Sequence, residues 1–414
     1  MIRKIRKQKN NNKVFGNYLF LLLVQGSNFI ISLVLYPYLV NVLGLEKFGI
    51  VMVANSFIVF INIMVDFGFE ISATREVAII KNDKEKLSSY FWNVFFSKMT
   101  LLVFSFSILL LLTIIFNKFK EFRWVYLFSF GIVVGQSIFP YWFYQGIEKM
   151  KMLTFANVFA RITFILLSFI FITKPSDYIY VPVFNSLGFI ISGIIGLIIS
   201  LKYVTYKKPQ LKVMKGFIKE NSHLIASNFF TSIYQSGSTF ILGMIGGNNI
   251  AGVYSSMEKL IIALRSVFKA LYQAIFPWIS AKSEDFIFKF IKQLKKFILF
   301  AGILISLIIF FASNLILKIV FHNQTILHYS NVFRILGLIA LFTSLNLMYV
   351  QLLFPALKSY KYRMIPIVGG GLSSLILVLI GAYFFGIYGV AVAAVLSEII
   401  ILVIAVYLFK KIIK

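Results

Sequence analysis

Apolar runs of about twenty residues or more recur twelve times in this chain, and they constrain its fold more than any other feature. They cover roughly 14–40, 48–70, 89–116, 122–144, 152–172, 179–203, 221–245, 250–276, 294–321, 331–357, 362–382 and 387–409. A helix rises about 1.5 Å per residue and the hydrocarbon core of a bilayer is about 30 Å thick, so each run can cross it once. None alternates apolar and polar residues as an outer-membrane barrel strand does. Of the 414 residues 60% are hydrophobic, and the mean hydropathy is +0.90. A soluble domain sits near about 45–50% apolar. The expected fold class is an all-α integral membrane protein of twelve transmembrane helices. The basic start, Met1 to Lys13, precedes an apolar run too long for the h-region of a signal peptide.

The basic residues orient the spans. Of 41 Lys and Arg, 29 fall in the two tails and the connections on one side, five on the other side and seven inside the runs. By the positive-inside rule both termini are cytoplasmic. Topology and attraction to anionic lipid thus account for the formal charge of +27, which does not imply nucleic acid as a partner.

The two halves resemble each other. Leu43-Gly44 with Phe48-Gly49-Ile50, after the first run, recurs as Gly246-Gly247 with Ala251-Gly252-Val253, at an offset of 203. Six runs per half start both halves on the same side, so the repeat is parallel, about an axis along the membrane normal. The expected domains are a six-helix bundle over 1–203, a cytoplasmic linker over 204–220 and a second six-helix bundle over 221–414. Polar stripes at helical spacing mark the two leading runs: Gln25, Asn28, Ser32 and Tyr36, and Asn228, Thr231, Gln235 and Ser238.

The intramembrane charges concentrate in the eighth run. At about 100° per residue Glu258, Arg265 and Lys269 share a narrow arc, with Lys259 to one side. Each ionisable group costs roughly 2.5–3.5 kcal/mol at the middle of a lipid-facing helix, so these must face a partner or water. They form either a buried ion-pair network or the wall of an anion-binding cavity, and the excess of base over acid favours the cavity. Arg161, on one face with Asn157, fits a cavity wall and a structural bond about equally. Lys98, Lys318 and Arg334 are expected to snorkel. Glu398 is either a protonatable carboxylate or the partner of a distant base. Trp142, Tyr144 and Trp278 read as interfacial anchors.

No catalytic constellation emerges. There is no cysteine, the three histidines are not spaced as a metal pair, and no phosphate-cradling glycine loop or paired-carboxylate motif is present. No metal or cofactor is expected. Transport would draw on an H+ or Na+ gradient, or on the substrate's own gradient. Glu258, Glu398 and Asp66 are the candidate coupling carboxylates.

Several stretches resemble the signature of the polysaccharide repeat-unit flippases (Wzx type). They are Asp66-Phe67-Gly68-Phe69-Glu70 through Thr74-Arg75-Glu76-Val77-Ala78, Pro140-Tyr141-Trp142-Phe143-Tyr144-Gln145-Gly146 through Met150, Tyr234 to Gly243, Gly252-Val253-Tyr254-Ser255-Ser256-Met257-Glu258-Lys259, and Phe276-Pro277-Trp278-Ile279-Ser280. The resemblance spans both halves; Glu70 departs from it, standing where a neutral residue is expected. It implies the V-shaped fold of the multidrug/oligosaccharidyl-lipid/polysaccharide exporter superfamily, in the bacterial inner membrane. The implied substrate is an undecaprenyl-pyrophosphate-linked oligosaccharide, moved to the outer leaflet for O-antigen, lipopolysaccharide or capsule assembly. A polysaccharide polymerase and a chain-length regulator are implied partners. On this reading Arg161, Lys259, Arg265 and Lys269 line a cationic path that binds pyrophosphate, while Arg75 captures the anion early or pairs with Glu76 or Asp66. Gln25, Asn28, Asn228 and Gln235 contact sugars, and the two bundles rock in alternating access. A lipid II flippase and a drug/ion antiporter of the same superfamily are the near alternatives. A membrane polysaccharide polymerase is a remote one, since it would carry a long outer loop or a catalytic acid pair.

Overall fold

The computed structural model describes residues 26–27, 29–280 and 282–413, and those residues form helices and turns without a strand. In chain order the main helices are α1 (Tyr36–Asp66), α2 (Phe69–Ile80), α3 (Lys84–Ile115), α4 (Arg123–Ile138), α5 (Tyr141–Gly146), α6 (Met150–Phe171) and α7 (Tyr180–Ser200). There follow α8 (Leu211–Gly246), α9 (Asn248–Ile279), α10 (Glu284–Phe321), α11 (Ser330–Gly337), α12 (Ile339–Leu347) and α13 (Tyr360–Ile413). Glycines break α1 at Gly44 and α13 at Gly386, both at positive φ, where a Cβ would be strained. Among the described residues, eight helical stretches are long and apolar enough to cross a membrane. Helix α8 begins at Leu211, ahead of the apolar run expected from about 221, so much of the expected linker is helical.

The chain forms two compact units, Ile50–Ser232 and Met1–Gly49 with Ile233–Lys414. In the Ile50–Ser232 unit, α7 packs against α4 and α6 through small residues. A Cβ on Gly135 would overlap the α7 backbone at Phe189, and one on Gly188 would overlap Ala160. Glycines at such crossings let helix backbones approach closely where no hydrophobic effect drives association. Ser186 Oγ donates to the Phe128 carbonyl at 2.6 Å across the same seam.

One end of this unit is built from the two signature stretches. Phe67 and Gly68 both take positive φ, which ends α1 and starts α2. Helix α2 lies on α5: Thr74 Oγ1 donates to the Glu70 carbonyl at 2.6 Å and lies 3.3 Å from the Trp142 carbonyl. Gly146 abuts Val77 too closely for any side chain. Trp142 and Tyr144 are fully buried in the core here rather than placed as interfacial anchors, and Tyr144 donates its hydroxyl to the Gly196 carbonyl at 2.5 Å. Their position near the end of an apolar run resembles an aromatic belt, but α3 packs on Trp142 and α7 meets Tyr144. Trp278, in the other unit, is exposed. The segment before α8 is pinned to α3: the Thr205 amide donates to Ser88 Oγ at 3.0 Å and the Gln210 amide to Asn93 Oδ1 at 2.7 Å.

In the other unit the glycine repeat has a structural counterpart. Gly44 (φ 76°, ψ 164°) and Gly247 (φ 87°, ψ 166°) share one backbone conformation at the offset of 203. A Cβ on Gly49 would collide with the Asn248 carbonyl oxygen, and one on Gly252 with the Leu45 carbonyl oxygen. These two collisions exchange under the same offset, so the contact is reciprocal. Irregular turns of π-helix, Ile31–Leu35 and Met348–Leu353, interrupt two of the apolar stretches. Gly369 and Gly370 lie against Ile404 and Ile401, where they allow close helix packing.

Candidate functional site

Each unit has its own polar interior. The one inside Ile50–Ser232 is a cavity of about 430 Å³. Helix α1 supplies Asn62 and Asp66, α3 Lys98, α4 Gln136, α6 Asn157 and the start of α8 Asn228. Asn62 and Asp66 are one turn apart and share a helix face. Lys98 does not snorkel: it is 5% exposed, and its Nζ lies 3.4 Å from Asp66 Oδ1. The Glu70 amide faces the second carboxylate oxygen of Asp66 at 3.5 Å, and the Glu70 side chain also lines the cavity. Asn157 donates from Nδ2 to the Leu153 carbonyl at 2.9 Å, which leaves its Oδ1 as an acceptor. Among the described lining residues the charged ones are Asp66, Glu70 and Lys98.

The other interior is a closed node centred on Glu398 of α13, which is fully buried. Arg265 Nη2 of α9 donates to its Oε1 at 2.5 Å. Tyr234 of α8 and Thr343 of α12 donate their hydroxyls to the same oxygen. Asn346 Nδ2 reaches Oε2 at 2.6 Å and the Glu398 carbonyl at 2.9 Å. The Arg265 guanidinium also stands over the Tyr234 ring, 5.5 Å from its centroid. Four helices therefore meet on one carboxylate. Glu258, two turns before Arg265, accepts from Thr239 Oγ1 at 2.8 Å. The space beside these groups is about 20 Å³, room for about one water molecule.

The remaining expected residues are spread more widely. Lys259 is half-buried with its ammonium 5.6 Å from the centroid of the Tyr36 ring. Lys269 is half-buried on α9, Arg161 is half-buried on α6 one turn beyond Asn157, and Arg75 is exposed on α2. Asn228 and Thr231 line the larger cavity. Gln25 and Asn28 lie outside the described residues, as does the side chain of Gln235. Arg334 bonds Ser313 Oγ at 2.9 Å and Asn331 Oδ1 at 2.7 Å. Asn62, Gln136, Thr343 and Asn346 were not anticipated. Polar pairs at spacings of three and four, Asn62 with Asp66 and Thr343 with Asn346, were the available signal.

The model of a family described as polysaccharide biosynthesis protein matches residues 14–282. This chain belongs to that family. A curated relative in Escherichia coli (strain K12), named "Putative O-antigen transporter", is 33% identical over 279 residues, 66% of each chain. A protein of the same name in Shigella dysenteriae is 28% identical over 269 residues, covering 64% of this chain and 67% of its own. The family member thus spans just under two thirds of the E. coli relative in the match. Among solved structures, the inward closed conformation of the lipid II flippase MurJ aligns with a TM-score of 0.67 at 15% identity, covering 97% of this chain and 87% of that one. An inward-facing multidrug resistance MATE family transporter of the MOP superfamily aligns at 0.66 and 14% identity, over 95% and 94%. At those identities the likeness shows a shared fold alone.

Proposed function

We propose that this chain is a flippase that moves lipid-linked oligosaccharide repeat units from the cytoplasmic to the outer leaflet of the bacterial inner membrane for surface polysaccharide assembly. One observation carries the reading: a family member with the exporter fold holds a polar cavity of about 430 Å³ in a unit whose helices are otherwise apolar. A hydrated sugar head group needs such a cavity, while a prenyl tail can stay in lipid. On this reading the breaks at Gly44 and Gly386 each separate two spans, and α8 and α9 are two more. Twelve spans result, in six-helix bundles over 1–203 and 221–414 joined by 204–220.

The pyrophosphate would be held by cations of α9. Arg265 is bonded to Glu398, so it acts as a positioning residue that ties α9 to α13, and Lys259 and Lys269 are the further candidate anion donors on the same helix. Arg161 and Arg75 remain secondary candidates, with a polymerase and a chain-length regulator as downstream partners. Glu258, Glu398 and Asp66 are the carboxylates through which H+ or Na+ would couple.

The test is leaflet transfer. Protein in proteoliposomes receives a short-chain prenyl-pyrophosphate oligosaccharide, and an external lectin scores its accessibility with and without a pH gradient. Protein-dependent transfer that falls at least tenfold in Lys269→Ala is the expected result. Lengthened glycan without transfer would make the protein an enzyme instead. The carboxylates of Asp66 and Glu70 in the larger cavity favour one second reading, an exporter of cationic small molecules. Transfer of a cationic dye in the absence of lipid-linked sugar would establish it.

A further inference from the structure

We infer that the Ile50–Ser232 unit carries, apart from its polar cavity, a site for a phosphate-bearing head group, built where three helix ends meet. A recess of about 360 Å³ opens there, within the range of about 300–1,000 Å³ usual for small-molecule sites. Lys81 at the end of α2, Lys84 at the start of α3 and Lys149 ahead of α6 line it. Asn82 adds a carboxamide and Tyr203 a phenol, while Leu87 and Ile147 add apolar surface. The chain between α5 and α6 turns at Glu148, at φ 60°, and the Lys149 amide donates back to the Tyr144 carbonyl at 2.8 Å. Helix α3 opens one candidate span, Lys84–Ile115, and Tyr203 lies just past the end of another, Pro175–Ser200. The recess is therefore at the depth of lipid head groups.

The pairing of charges leaves cations over. Three carboxylates neighbour these lysines in sequence, and each stands against a different lysine: Asp83 against Lys86 at 3.2 Å, Glu85 against Lys207 at 3.3 Å and Glu148 against Lys81 at 2.8 Å. Among the described residues, no carboxylate is in ion-pair contact with Lys84 or Lys149. Lys149 instead faces a ring, its ammonium 5.6 Å from the Tyr203 centroid. Two ammonium groups on one recess repel, and an anion held between them relieves that repulsion without displacing a carboxylate. A phosphate group offers several acceptor oxygens, which suits two lysines, a carboxamide and a phenol together. At head-group depth that group belongs to an anionic phospholipid or to a pyrophosphate. The site is independent of the flippase reading, which only adds a prenyl-linked pyrophosphate to the sources.

Equilibrium binding to the full chain in detergent tests this. The probes are inorganic pyrophosphate and short-chain phosphatidylglycerol, with short-chain phosphatidylcholine as the zwitterionic reference. Lys84→Gln with Lys149→Gln should weaken the tighter anion about tenfold, the size expected for losing two exposed ion pairs. Lys84→Arg with Lys149→Arg keeps the charge and should retain binding, which separates loss of the site from loss of the fold. Lys410→Gln with Lys411→Gln removes the same charge at the end of α13 and should change the affinity by less than about twofold. Pyrophosphate as the tighter probe assigns the site to a pyrophosphate head group, and phosphatidylglycerol as the tighter probe assigns it to a phospholipid. No saturable binding of either anion, or an equal fall in the two Gln variants, would overturn the inference. Leaflet transfer is scored separately, so its failure removes the flippase reading and leaves the phosphate site to be decided by binding.

Discussion

The two polar interiors handle buried charge in opposite ways. In the unit that contains α9 to α13, Glu398 takes bonds from four side chains, and the space beside the node holds about one water. In the Ile50–Ser232 unit, Asp66 and Lys98 meet at 3.4 Å at the edge of about 430 Å³. A carboxylate bonded by four side chains ties its helices together and leaves no room beside it for a head group. An ion pair at the rim of a polar cavity sets a field and leaves room beside the amides around it. Charge at membrane depth is therefore not itself the mark of a binding site. Room beside the charge is what distinguishes the two.

The largest expected effect tests whether the Glu398 node is structural. Removing one partner of a buried pair typically costs about 3–5 kcal/mol, so Glu398→Ala should lower the unfolding midpoint in detergent more than any change in the other cavity. Replacing both partners, Arg265→Met with Glu398→Leu, should recover a large part of that loss. Stability restored together with transport would show that the pair only positions helices, whereas stability restored without transport would give Arg265 or Glu398 a direct role. Next comes the glycine contact in the same unit. Gly49→Ala and Gly252→Ala each press a methyl onto a backbone carbonyl and should cost about 1–3 kcal/mol. Because the contact is reciprocal, the two losses should be similar in size; a twofold or greater difference would break the symmetry. A smaller loss, about 1–2 kcal/mol, is expected for Asp66→Asn, since water in the cavity can solvate the Lys98 ammonium left behind. If Asp66→Asn destabilised as much as Glu398→Ala, the contrast between the units would fail.

Much of this arrangement was legible in the sequence, and the gaps have physical causes. The narrow arc of Glu258, Arg265 and Lys269 followed from helical periodicity, and one helix, α9, carries all three. The recurring glycines were visible because positive φ leaves few alternatives to that residue. The partnership of Arg265 with Glu398 was not visible: the two are 133 residues apart and meet only through the packing of four helices. Trp142 and Tyr144 misled for a related reason. A large aromatic near the end of an apolar run has the same local pattern whether it meets lipid headgroups or, as here, a covering helix. The cavity amides Asn62 and Gln136 were overlooked because isolated amides in apolar runs look alike until neighbouring helices bring them together.

The smallest expected effect lies outside both interiors, at the turn before α3, and it sharpens the comparison by supplying an exposed reference. The Asp83 carboxylate accepts the Lys86 amide at 3.1 Å and its oxygen lies 3.2 Å from the Lys86 ammonium. Those two interactions, the backbone bond first, hold its pKa below the ordinary 3.8. A carboxyl with a depressed folded pKa stabilises the fold above its unfolded value, and that contribution is lost as pH falls through the folded value. Asp83→Ala should therefore lower the unfolding midpoint slightly near pH 7. The gap to the parent protein should close as pH drops below about 3.8, where the parent loses the charged cap as well. Added salt should weaken the Lys86 ion pair and leave the amide bond, so most of the difference should survive high ionic strength. A gap that widened in acid would mean that Asp83 acts through some group other than this helix start.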